Sequence, residues 1–181
     1  MVATTTSGSS ALRRVAGQVA VLAVGEPGRG DLGVGVVVVE ALRGRVPPDV
    51  RVVTLERIDA SSASELDGVT HLLLVDVVDV GRSPGAMVLF DAEMLTPCVA
   101  MASFRDLALA HLLVLAGQGA DAPEQVALLG VQPGTSEDGL SPEVEAVVPA
   151  MIDEATDVLL AWLEDPRAPS SSSLRADAPP C

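Results

Sequence analysis

The stretch V-G-E-P-G-R-G-D-L-G-V-G, residues 24–35, closes one apolar run and opens another. Before it stands Q-V-A-V-L-A-V, and after it V-V-V-V-E-A-L, so the glycines lie at a strand-to-helix corner. Five glycines in twelve residues, with Glu26 and Asp31 among them, describe a backbone loop shaped around something. A phosphate, a metal and a tight corner are the three readings to separate.

Working outward, apolar runs alternate in type. Val19–Val24 reads as a buried strand and Gly33–Leu42 as a helix, with Glu40 and Arg43 on its polar side and Gly44 and Pro47-Pro48 as its stop. Val50–Leu55, His71–Val75, Met87–Phe90 and Val126–Val131 read as further strands. Phe104–Leu115 reads as a helix, because Phe104, Leu107, His111 and Leu115 recur at steps of three and four. A last helix opens at Ser141-Pro142-Glu143, with Ser141 as N-cap and Pro142 at the first position, and runs to about Leu163. Strands alternating with helices predict an α/β domain: three layers, with a twisted, mostly parallel five-stranded sheet between helices. Composition places this domain at residues 18–165, between a flexible Thr/Ser/Ala-rich tail at 1–17 and a disordered Pro/Ser-rich tail at 166–181.

A length of 181 residues suits one such domain. The aromatics are only Phe90, Phe104 and Trp162, so Val, Leu, Ala and Ile must build the core. With a net charge of −14 and no basic stripe, a nucleic-acid partner is not expected. All 11 basic residues are Arg, which excludes a P-loop or Schiff-base lysine. Cys98 and Cys181 form no zinc or disulfide pattern, and a reducing cytoplasm is the expected compartment. The apolar run from Leu107 to Gly117 is too short to span a bilayer, and Arg13-Arg14 precedes an apolar run that Gln18 interrupts, so no membrane role is expected.

Two chemistries compete for the glycine loop. Gly28-Arg29-Gly30-Asp31-Leu32-Gly33 is a literal G-x-G-x-x-G, and Glu56 ends the next strand, as in a dinucleotide cradle. Against it, Glu26 and Pro27 separate the strand from the pattern, and Asp31 puts a carboxylate where the anion belongs. The rival is an oxygen-ligand site at the carboxyl ends of the strands, using Asp31 and the Asp76 of L-L-L-V-D-V-V-D. A carboxylate ending a buried apolar strand needs partners, so Asp76 is either a ligand or a cap for backbone N–H groups. Asp79 reads as a solvated turn residue, His111 as a buried helix histidine, and His71 as exposed at a strand edge. Cys98 reads as an inert thiol, and no G-x-S-x-G or H-E-x-x-H pattern occurs.

Three blocks together resemble the hydrogenase maturation proteases, which process nickel–iron hydrogenase large subunits. They are V-L-A-V-G-E-P-G-R-G-D-L-G-V-G-V, then H-L-L-L-V-D-V-V-D-V-G-R-S-P-G-A-M, then V-A-L-L-G-V-Q-P-G-T-S-E-D-G-L-S-P-E-V-E-A-V-V-P-A. Order and spacing agree over about residues 18–163. The resemblance implies an endopeptidase that removes the C-terminal extension of a large-subunit precursor once nickel is inserted. It implies no cofactor of its own. The nickel of the substrate would be contacted by two carboxylates and a histidine, and Asp76 matches the carboxylate on the third strand.

The other two positions depart from the family's pattern. Leu32 stands at the second acid of the first loop, which is the family's ligand, and Glu26 stands at its asparagine. Asp31 matches the first acid, and Phe104 stands where the histidine is expected. His111 is seven residues further along, about 10 Å down a helix axis, and is a poor substitute. The metal-contacting candidates are therefore Asp76, Asp31 and Glu26, with no catalytic base assigned. The alternatives are a non-catalytic relative serving hydrogenase assembly as a scaffold, and a nucleotide binder using the glycine loop.

Overall fold

The computed structural model describes residues 18–59, 62–91, 123–136 and 138–168. The apolar runs become strands β1 (Val19–Val24), β2 (Val50–Leu55), β3 (His71–Val77), β4 (Met87–Asp91) and β5 (Gln125–Val131). Helix α1 covers Val34–Leu42 and α2 covers Pro142–Glu164. The expected helix Phe104–Leu115 lies outside the described residues, as do His111, Cys98, Cys181 and the first tail.

The strands form one sheet of order β2-β1-β3-β5-β4. All pairings are parallel except β4 with β5, which is the α/β, mostly parallel architecture read from the sequence. Val, Leu and Ala populate β1, β3 and β5 because strands buried on both faces need continuous apolar runs. Alternate residues divide between two cores. Val19, Val21, Leu73, Val75 and Leu129 join α1 and α2, with Trp162 at the far end of α2. Ala20, Leu22, Leu72, Leu74 and Leu128 face the opposite side, where the segment carrying Leu66 and Val69 packs.

Helix α1 lies close against β3. A Cβ on Gly35 would overlap the Val75 carbonyl, a backbone atom that no rotamer change can move aside. Gly35→Ala is therefore expected to cost about 1–3 kcal/mol, read as a lower denaturation midpoint with unchanged slope. A midpoint equal to that of the wild type would show that the helix can move away from the sheet freely.

Two local expectations are corrected. His71 is not at an exposed edge: β3 is central, and the residue is only 3% exposed. Its ring sits 5.4 Å from that of Trp162, and Nε2–H donates to the Pro166 carbonyl at 2.8 Å. Gln125 Nε2 donates to the same carbonyl at 3.2 Å. Pro166, assigned by composition to the tail, is thus held at the foot of the sheet. The second correction concerns α1, which begins at Val34 after a 3-10 turn over Gly30–Gly33.

The topology locates the site. From β1 the chain goes first to β2 on one side, then to β3 on the other. The order reverses between β1 and β3, and in open α/β sheets ligands bind outside the carboxyl ends of the strands at such a point.

Candidate functional site

Three loops meet at that end of the sheet: residues 25–33 after β1, 78–86 after β3, and 132–136 with 138–141 after β5. The first carries the glycines. Gly30 has φ +60, and a Cβ there would stand 3.0 Å from the Ser136 carbonyl. The glycine loop is thus packed against the chain's own loop after β5, which answers the question that its composition raises. Its close approach is to protein backbone.

Asp31 explains that packing. It is only 6% exposed and accepts three hydrogen bonds. Gly134 N–H donates to Oδ2 at 2.7 Å, Ser141 N–H to Oδ1 at 2.6 Å and Ser141 Oγ–H to Oδ2 at 2.8 Å. Ser141 precedes α2, so the carboxylate also faces the positive end of that helix dipole. Ser141 sits at the N-cap position as expected, but its side chain does not cap the helix. The hydroxyl proton goes to Asp31 instead, and an acid distant in sequence does the capping. These bonds commit Asp31 to holding two loops together.

Asp76 is the next-to-last residue of β3, opposite Gly130 of β5. The strand runs beyond Val75 because its parallel pairing with β5 continues through Val77. Asp76 is half-buried, and its Oδ1 accepts from Val77 N–H at 2.7 Å. Strand alternation puts it on the same face as Leu72 and Leu74, whereas Asp31 is bonded to the start of α2, which packs on the other face. Glu26 is exposed in the first loop. Among the described residues, no three His, Cys, Asp or Glu side chains gather as a metal-binding group. Leu32, which the sequence resemblance sets at an acid position, is 42% exposed, and Phe104 lies outside the described residues.

One residue of this site had no signal in the sequence. Gln132 follows β5, is 7% exposed, and directs its amide into the loop after β3. Oε1 accepts from Val80 N–H at 2.8 Å and Arg82 N–H at 3.2 Å, while Nε2–H donates to Asp79 Oδ1 at 3.0 Å. Asp79, read as a solvated turn residue, is exposed but engaged by Gln132 and by Gly81 N–H. The loop after β5 therefore braces both of its neighbours, through Asp31 on one side and Gln132 on the other.

The model of a protein family described as hydrogenase maturation protease, HycI, matches residues 36–158. The chain belongs to the hydrogenase maturation protease family. Among solved structures, the hydrogenase maturating endopeptidase HybD from E. coli is 27% identical, with a TM-score of 0.67 over 81% of this chain and 92% of that one. An endopeptidase from Escherichia coli is 25% identical, with a TM-score of 0.62 over 81% and 93%. The [NiFe] hydrogenase maturation protease HybD from Thermococcus kodakarensis shares the fold at 20% identity, with a TM-score of 0.64 over 78% and 98%. No curated protein matches the chain. Among the described residues no helix is long and apolar enough to cross a membrane. Of the positions that the sequence resemblance singles out, Asp76 stands near the end of β3 and Leu32 lies in the 3-10 turn after β1.

Proposed function

We propose that this chain is a hydrogenase maturation endopeptidase acting on a nickel–iron large-subunit precursor in the cytoplasm, removing its C-terminal extension after nickel insertion. The observation that carries this reading is Asp76, at the carboxyl end of β3 beside the point where strand order reverses. A carboxylate oxygen suits a divalent cation of borderline hardness, so Asp76 would touch the nickel that the substrate brings. Glu26, exposed on the first loop, is the second carboxylate available to the substrate. Asp31, the third candidate, serves the site by holding that loop, because its oxygens already accept three hydrogen bonds. The protein contributes no cofactor of its own in this reading.

The test compares nickel-loaded and nickel-free precursor by intact mass. Loss of the C-terminal peptide only from the loaded form is expected, and an unchanged mass for both defeats the endopeptidase reading.

A second reading has its own support. Leu32 offers the solvent an apolar side chain where the family pattern has an acid, as a relative that binds the large subunit without cutting it would. Stable association with the precursor, with no change of mass, would select this scaffold role. The nucleotide reading has less support, because the glycine loop lies against the Ser136 carbonyl and encloses a buried carboxylate.

A further inference from the structure

The loop after β3 begins two residues beyond Asp76 at the carboxyl end of the sheet, yet Asp79, Gly81, Ser83 and Pro84 in it are exposed. Such a segment would move on its own unless its backbone groups were held. Gln132 holds it. Besides the three side-chain bonds, Gln132 N–H donates to the Ala86 carbonyl at 2.8 Å and its carbonyl accepts from Gly85 N–H at 2.9 Å. The start of the loop is fixed independently, by Val78 N–H donating to the Val131 carbonyl at 2.9 Å.

The pattern of donors and acceptors requires an amide at this position. Two backbone N–H groups converge on one atom, which must be the oxygen, and a carboxylate faces the other, which must be the nitrogen. Glutamate could accept from Val80 and Arg82 but would set a second carboxylate against Asp79. Leucine would fill the space and leave both N–H groups unmet.

We propose that Gln132 is a positioning residue for the family's reaction, fixing residues 79–86 beside Asp76 in the conformation that receives the substrate. This rests on the reading of Asp76 as the substrate contact. Gln132 itself touches neither the nickel nor the scissile bond, and it acts through the loop it binds.

The experiment uses the full chain with Gln132→Leu, Gln132→Glu, the double variant Gln132→Glu/Asp79→Asn, and Asp76→Asn. Amide hydrogen exchange needs no substrate. In Gln132→Leu the Val80 and Arg82 amides are expected to exchange about tenfold faster, while those of Leu73 and Leu128 keep their rates. Unchanged exchange at Val80 and Arg82 overturns the proposal. In cleavage of nickel-loaded precursor, Gln132→Glu is expected to lower kcat roughly 10- to 100-fold with little change in KM. The double variant should recover most of that loss, because it exchanges the amide and the carboxylate between the two positions and so restores a donor facing an acceptor. A purely structural role would instead follow melting temperature and leave kcat intact in variants that stay folded.

Asp76→Asn separates the two ideas. Full activity in that variant sinks the Asp76 reading itself. Abolished activity there, with full kcat in both single Gln132 variants, sinks the positioning role alone. If the chain binds the precursor without cutting it, the same variants are compared by dissociation rate. Faster release from Gln132→Leu, restored toward wild type in Gln132→Glu/Asp79→Asn, supports the proposal, and equal rates overturn it.

Discussion

Replacing Asp31 with alanine is expected to lower the unfolding free energy by about 3–5 kcal/mol, because three hydrogen bonds to one buried carboxylate disappear together. The cost exceeds the loss of those bonds. Gly134 N–H, Ser141 N–H and Ser141 Oγ–H would all be left facing a cavity, and unmet buried donors are costlier than absent ones. Asparagine should recover little, since its NH2 group would point a donor at other donors. Ser141→Ala, which removes one bond and leaves the backbone ones, should cost only about 1–2 kcal/mol. Chemical denaturation of the three variants checks this order. A loss below about 1 kcal/mol for Asp31→Ala would mean that the loops after β1 and β5 are held by other means.

The second large effect concerns Asp76→Asn, which is expected to reduce cleavage of nickel-loaded precursor by about 100-fold or more while the protein stays folded. Asparagine keeps an oxygen for the Val77 N–H, so the local hydrogen bond survives the change. What it loses is the negative charge and much of the affinity of an oxygen ligand for a divalent cation. The fall should appear only with loaded precursor, measured by initial rates at matched protein stability. A variant that cleaves as fast as the wild type would remove Asp76 from the mechanism.

The two predictions separate roles that the sequence could not. Periodicity and turn residues place β1 and β2 at the bounds the structure shows, because buried parallel strands are continuous apolar runs with clear stops. Loop membership was legible too, and both Asp31 and Asp76 lie at the expected end of the sheet. The direction in which each carboxylate points was not legible. Asp31 and Asp76 both looked like candidate ligands, yet Asp31 turns inward to partners at Gly134 and Ser141, far along the chain. Nothing local to V-G-E-P-G-R-G-D-L-G-V-G announces that contact.

His71 was misread for a similar reason. A polar residue at the start of a strand looks exposed until the strand order makes it central and sets Trp162 and Pro166 against it. Gln132 gave no signal at all, because a glutamine after a strand is compositionally ordinary and its partners lie near residue 80. The departures at Leu32 and Phe104, by contrast, were visible only through the family resemblance. Of the two, Leu32 is exposed on the turn after β1, where it can meet a partner but cannot coordinate a metal.

Contact between Asp76 and the substrate's nickel is the central claim, and X-ray absorption at the nickel edge tests it most directly. Loaded precursor would be measured alone, with the wild-type chain, and with Asp76→Asn, all at low temperature to keep the complex intact. An additional oxygen in the nickel shell with the wild type, absent with Asp76→Asn, is the predicted result. Identical spectra for the two complexes would contradict it.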